Sequence, residues 1–175
     1  VGPVPEAHIA AIENHVSRQV WALIQLQLLT AARGGELFVM RRRDLDESGV
    51  VWTYKPRTHK TAYRGHTRTI YIGPKGQEIL RLFLRRSPRA SMFSPREAVE
   101  EFRARRARER KTPLNEGNRA GTNRKSEPRR KPGEFYTRQS YHGAIARACK
   151  WAGVPHWHPH QLRHNAATRL REGFG

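Results

Sequence analysis

At 175 residues the chain is long enough for one domain with its own core and too short for two full-sized ones. Thirty-four Lys and Arg against fifteen Asp and Glu leave a formal net charge of +19, a self-repulsion that asks for a polyanionic partner, most commonly nucleic acid. No stretch approaches ~20 uninterrupted apolar residues and none has the order of a signal peptide, which excludes a membrane. The single cysteine, Cys149, cannot form an internal disulfide and fits a reducing, cytoplasmic setting.

In chain order, Pro3, Pro5 and Glu6 precede an apolar-periodic run from Ile9 through Ile12, Val16, Val20, Leu23, Ile24 and Leu28. The spacing predicts one helix reaching about Thr30, the main beam of the core. Paired glycines in Ala32-Arg33-Gly34-Gly35 are expected to break it, and Glu36 to Met40 to begin a short new helix. Arg33 thus sits on a sharp turn. It could satisfy helix carbonyls or serve a site, and Glu36 could orient its guanidinium or favour the next helix's N-terminus.

After the run Arg41-Arg42-Arg43 and a turn at Asp46 to Gly49, the pattern changes to β. Strands are predicted at Val50 to Tyr54, Arg57 to Thr61 and Thr67 to Ile72, with Arg64-Gly65-His66 turning between the last two. Such a small antiparallel sheet must pack on helices to be stable. Lys60 lies beside the hairpin tip. Gly73-Pro74 ends the sheet, and a helix from about Lys75 to Arg86 is expected to bury Ile79, Leu82 and Phe83.

Ser94-Pro95-Arg96-Glu97 has the form of a capping box and predicts a helix running towards Arg110 with a thin apolar side. From Arg85 through Pro132 there are sixteen basic and six acidic residues, +10 of the total +19. The stretch at about 87–134 reads as a basic insertion, with Asn115 to Lys131 a flexible loop that orders against a partner or is merely solvated. Thr137 and Gly153 bracket a further helix with Tyr141, Ile145, Ala148, Cys149 and Ala152 on its apolar side. Trp157 is expected to anchor the turn that follows.

That turn leads into His158-Pro159-His160-Gln161-Leu162-Arg163-His164. Pro159 fits a first helical turn, and Leu162, Ala166, Ala167 and Leu170 follow as the expected buried side. His160 and Arg163 then point the same way. An imidazole and a guanidinium at a helix N-terminus would grip a phosphate. Zinc on His156, His158, His160 and His164 is the rival reading, but arginines lie close by and no carboxylate occurs from Trp151 through Arg171. Phosphate is therefore preferred, with no metal and no cofactor expected.

These pieces in this order resemble the catalytic domain of the tyrosine recombinases, the phage-integrase family. Ala32-Arg33-Gly34-Gly35-Glu36-Leu37 is similar to the family's first arginine in a turn followed by an acidic residue. His59-Lys60-Thr61 with Arg68-Thr69-Ile70-Tyr71-Ile72 is similar to its lysine-bearing hairpin, and His160-Gln161-Leu162-Arg163-His164 to its His-x-x-Arg motif. The resemblance implies an α+β, mainly α-helical fold, with a three-stranded antiparallel sheet packed on helices, spanning 1–175 as a single partial catalytic domain. It implies double-stranded DNA as partner and leaves room for a homo-oligomer on DNA in a full-length parent.

The resemblance also implies roles. A tyrosine attacks the scissile phosphodiester to give a 3′-phosphotyrosine and a free 5′-hydroxyl. Arg33 and Arg163 would clamp the non-bridging oxygens, Lys60 would protonate the leaving 5′-oxygen, and His160 would hydrogen-bond the phosphate and assist proton transfer. Glu36 and His164 would support them. From charge and not from the resemblance, which assigns no role to the basic insertion, Arg41, Arg42, Arg43, Arg64, Arg68, Arg103, Arg106 and Arg110 are the basic residues expected to contact DNA. Tyr54, Tyr63, Tyr71, Tyr136 and Tyr141 all precede the His-x-x-Arg helix, whereas the family's nucleophile follows it. The expectation is a truncated domain, inactive alone. The alternatives are a non-catalytic basic nucleic-acid-binding protein and a type IB topoisomerase-like enzyme; the compact integrase-like motifs favour the recombinase.

Overall fold

The first apolar run folds as two helices because Ser17 intervenes. In the computed structural model, which describes residues 2–57, 67–84, 87–113, 127 and 131–174, α1 spans Glu6–Ala11 and α2 spans Arg18–Thr30. Between them lie a 3₁₀ turn, Glu13–His15, and an extended Val16. The Ser17 hydroxyl accepts the Val20 N–H at 3.3 Å, satisfying a donor that a continuous helix would have used internally. The single predicted helix is therefore corrected to a pair.

The second member is the beam of the core. Val20, Leu23, Ile24, Leu26 and Leu28 are buried, and so are the polar Gln19 and Gln27. Each fully buried Leu or Ile contributes roughly 1.5–3 kcal/mol. The helix ends at Ala31, which adopts left-handed geometry (φ 52°, ψ 20°) and returns its N–H to the Gln27 carbonyl. The glycines do not break the helix as expected; they open the next one, α3, Gly34–Phe38. Gly34 is required there because a Cβ would stand 2.9 Å from the Phe38 ring, itself set edge-on against Tyr141 with centroids 5.2 Å apart.

The sheet has three antiparallel strands in the order β1 (Leu45–Asp46), β2 (Trp52–Tyr54) and β3 (Ile70–Ile72). Leu45 pairs with Tyr54, and Thr53 with Tyr71. Trp52, Tyr54, Ile70 and Ile72 face the core while Tyr71 faces out, the period of two that a half-buried sheet demands. The predicted first strand starts too early, since Val50 and Val51 are exposed. Arg57 lies outside any strand and ion-pairs with Asp44. The rest of the predicted middle strand and the hairpin turn fall outside the described residues, and the pairing seen on the far side of β2 comes from Leu45–Asp46.

Helix α4, Pro74–Arg81, is shorter than predicted. Leu80 and Phe83 turn inward while Leu82 is 69% exposed, contrary to the sequence reading. Helix α5, Pro95–Arg108, is capped by Ser94 as predicted, its hydroxyl accepting the Glu97 N–H. It buries nothing and docks on α2 through charge: Arg18 meets Glu101 at 2.6 Å, and Gln19 donates to Glu97 and Glu101.

Helix α6, Arg138–Ala152, is capped by Thr137 and closed by a left-handed Gly153, as predicted, with Tyr141, Ile145, Ala148 and Cys149 buried. Helix α7 spans Gln161–Phe174 and packs across α2. Its buried face is Leu162, Asn165 and Ala166; Ala167 and Leu170 are exposed, against expectation. At about 100° per residue, positions five and eight beyond Leu162 point roughly 140° and 80° away from it. Asn165 earns its burial by bonding both backbone groups of Val4, at 2.8 and 2.6 Å, which straps the N-terminal segment along α7.

Candidate active site

Three positions far apart in sequence meet where α2 ends, β3 begins and α7 starts. The anchor is Glu36, only 2% exposed at the first turn of α3. One carboxylate oxygen accepts the Arg33 backbone N–H at 2.9 Å, and the other lies 3.1 Å from the Arg33 guanidinium. That second oxygen also faces the Arg68 Nε at 2.9 Å as an ion pair whose angle is poor for a hydrogen bond. The Glu36 carbonyl is fixed in turn by the Tyr54 hydroxyl, which donates to it at 2.6 Å. Burial holds the Tyr54 phenol well above its ordinary range, so it remains a donor.

Arg163 completes the group from the first turn of α7. Its burial lowers its proton affinity, and the positive charges of Arg33 and Arg68 lower it further while Glu36 opposes them. An arginine stays charged under such pressure. Two guanidiniums, Arg33 and Arg68, thus pair with one buried carboxylate, and Arg33 and Arg163 both line the cleft beside it, which leaves it an excess of positive charge. Such an arrangement suits a tetrahedral oxyanion, since each guanidinium offers a planar fork of donors.

The cleft, about 650 Å³, is lined by Gln27, Arg33, Glu36, Arg138, His160 and Arg163 among others. Gln27 links its walls: its amide reaches the Ala32 carbonyl at 3.4 Å, and its oxygen accepts from the Tyr141 hydroxyl at 2.8 Å. His160 is exposed on the rim. Local turn bonds set this rim, with the Gln161 side chain accepting the His158 N–H at 2.9 Å and the Arg163 N–H returning to the His160 carbonyl. His164 is exposed beside His160, with ring centroids 5.5 Å apart.

Of the expected site residues, Arg33, Glu36, His160 and Arg163 are therefore brought to one cleft. Lys60 and Arg64 lie outside the described residues. Arg68, expected as a general DNA contact, belongs to the arginine cluster on Glu36. Arg42 is engaged by Glu47, Arg43 lies near Asp44, and Arg41 stacks over Phe135. Arg103 and Arg106 stand exposed on α5, and Arg110 donates to the Thr112 carbonyl just beyond it.

Sequence reasoning missed Arg138 and His142, which reach the cleft from the first turns of α6. Their spacing of four, flanking Tyr141, was the available signal; α6 was read only for its apolar side.

The chain resembles known proteins over its whole length. No curated protein matches it. Among solved structures, XerA recombinase superposes with a TM-score of 0.62 at 15% identity, covering 100% of this chain and 52% of that one. XerH site-specific recombinase bound to difH substrate superposes in its pre-cleavage complex at 0.54 and 15% identity (97% of this chain, 41% of that), and in its post-cleavage complex at 0.52 and 15% (96% and 40%). The chain thus spans about half the length of these recombinases, and at such identity the likeness establishes the fold. The model of the phage integrase family matches residues 6–174; with that coverage, the chain belongs to the phage integrase family.

Proposed function

We propose that this chain is the phosphate-gripping part of a tyrosine recombinase and acts in site-specific DNA recombination. The observation that carries the reading is that Arg33, Arg163 and His160 line one cleft, where the buried carboxylate of Glu36 holds Arg33 and its neighbour Arg68. A scissile phosphodiester placed there meets guanidiniums fixed before it arrives. Charge developing on its non-bridging oxygens is stabilised without reorganisation.

In this reading a tyrosine hydroxyl oxygen attacks phosphorus and the bond from phosphorus to the 5′-oxygen breaks. The protein keeps the DNA 3′-end as a phosphotyrosine, and Lys60 gives the departing 5′-oxygen its proton. His160 hydrogen-bonds the phosphate and assists removal of the tyrosine proton. Glu36 keeps Arg33 and Arg68 in position.

The attacking tyrosine is assigned to a segment outside residues 1–175, so the chain binds DNA without cleaving it alone. Supporting this, Tyr54, Tyr136 and Tyr141 are buried, and burial pushes all three phenols upward. Tyr71 is exposed on the sheet and does not line the cleft. Tyr63 falls outside the described residues. Away from the cleft, the exposed arginines of α5 supply sequence-independent phosphate contacts.

The test is covalent adduct formation on a nicked suicide DNA carrying the parent element's attachment site. The chain as it stands is compared with one extended through the next tyrosine-containing segment of its reading frame. An adduct from the extended chain alone supports the reading; salt-sensitive binding by both with no adduct from either would make the protein a basic DNA-binding module.

A further inference from the structure

The sequence offered four histidines of one segment as a metal set, His156, His158, His160 and His164. The fold gathers a different set. His142 projects from α6 towards the loop before α7, where it meets His156 and His158. Ring centroids are 5.0 Å apart for His142 with His156, 5.0 Å for His142 with His158, and 4.8 Å for His156 with His158. One nitrogen from each ring lies within 4.8 Å of the other two, and His142 Nε2 stands 3.0 Å from His158 Nδ1.

The 3.0 Å approach of His142 Nε2 to His158 Nδ1 is a hydrogen bond between the two rings, which a metal ion would replace by taking a nitrogen of each ring as a ligand. Around zinc, imidazole nitrogens at about 2.0–2.1 Å stand roughly 3.3–3.4 Å from one another in tetrahedral geometry. The observed spacing, 3.0 Å for His142 with His158 and within 4.8 Å for the whole set, brackets that value.

We propose that His142, His156 and His158 form a three-imidazole site for a zinc-like divalent transition metal, with a fourth position left to water or an anionic oxygen. No carboxylate or cysteine belongs to the set, so calcium and magnesium, which want oxygen ligands, are not its ions. The ion fastens the loop between α6 and α7 onto α6. His158 is two residues from His160, and both it and His142 line the cleft that holds Arg163. The metal therefore positions the rim of the phosphate cleft and takes no part in bond breaking. The inference rests on the histidine geometry and stands independently of the recombinase reading.

Cobalt(II) and zinc(II) titrations of the whole chain test it, using visible absorbance for cobalt and calorimetry and thermal melting for zinc. One ion per chain is expected, with tetrahedral cobalt bands and a melting temperature raised by zinc. His142→Ala and His156→Ala should each weaken binding at least tenfold with unchanged far-UV circular dichroism, while His164→Ala leaves it intact. The exposed position of His156 makes that variant safe for folding even where His142→Ala is not. Absence of saturable binding, or a loss that follows His164 instead of His142 and His156, overturns the proposal.

Discussion

Glu36 holds Arg33 by both of its oxygens, accepting the backbone N–H on one at 2.9 Å and facing the guanidinium with the other at 3.1 Å. The turn and its side chain are fixed by the same buried group. Glu36→Gln keeps an oxygen for the backbone N–H but deletes the negative charge that pairs with Arg33 and Arg68. Only the Glu36 side of these pairs is buried, and the arginines, 40% and 29% exposed, keep part of their hydration, so removing the carboxylate costs roughly 1–2 kcal/mol. Chemical denaturation should show a loss of that size, and inorganic phosphate, by replacing the missing charge, should restore more stability to the variant than to the parent.

Ala31 sits just ahead of this turn in left-handed geometry, φ 52°. An L-residue with a Cβ is strained there by about 1 kcal/mol relative to glycine. Ala31→Gly should therefore stabilise the protein by roughly 0.5–1 kcal/mol, although glycine also gives the unfolded chain more freedom to lose. Thermal unfolding checks the sign; a lower melting temperature would contradict the backbone account of this turn.

Alkaline pH should weaken the fold through its tyrosines. Burial raises the phenols of Tyr54, Tyr136 and Tyr141 above the ordinary value of 10.0. In the unfolded chain they ionise near that value, while in the native protein they stay protonated. Stability is thus intact below pH 10 and falls as pH rises from there towards the folded values. Phenolate absorbance read alongside denaturant unfolding should show these three ionising only with loss of structure.

The parts of this protein that were legible in the sequence are local. Ser94 before Glu97, Thr137 before Ser140 and Gly153 after Ala152 announce their helix ends because a cap and its partner are neighbours in the chain. Ser17 belongs to the same class, but the apolar period running through it masked the break. Leu82 and Leu170 were misplaced because periodicity gives the spacing of a face and not the direction from which a neighbour arrives.

The site divides the same way. Arg33, His160 and Arg163 were visible because short motifs frame them. The attachment of Arg68 to Glu36, the meeting of His142 with His158, and the burial of Asn165 against Val4 depend on chain segments brought together only by the packing around α2.

Lys60 carries a prediction that needs chemistry more than geometry. If it protonates the departing 5′-oxygen, a substrate with sulfur in that bridging position should not need it, since a thiolate leaves unprotonated. In a chain carrying its nucleophile, Lys60→Ala should lose about 10²-fold or more in cleavage of ordinary DNA and recover most of that on the sulfur-bridged substrate. Equal impairment on both would remove Lys60 from the acid's role.

The most direct measurement is the rate of covalent adduct formation on the nicked suicide DNA by the tyrosine-containing extension of this chain, with and without Arg163→Ala. Arg163 lines the cleft with Arg33, Glu36 and His160 and, in this account, faces charge that grows in the transition state. The variant should still bind DNA with nearly the parent's affinity and lose about 10²-fold or more in adduct formation. An adduct formed at the parent's rate by the Arg163→Ala protein would contradict the assignment of this cleft as the phosphate site.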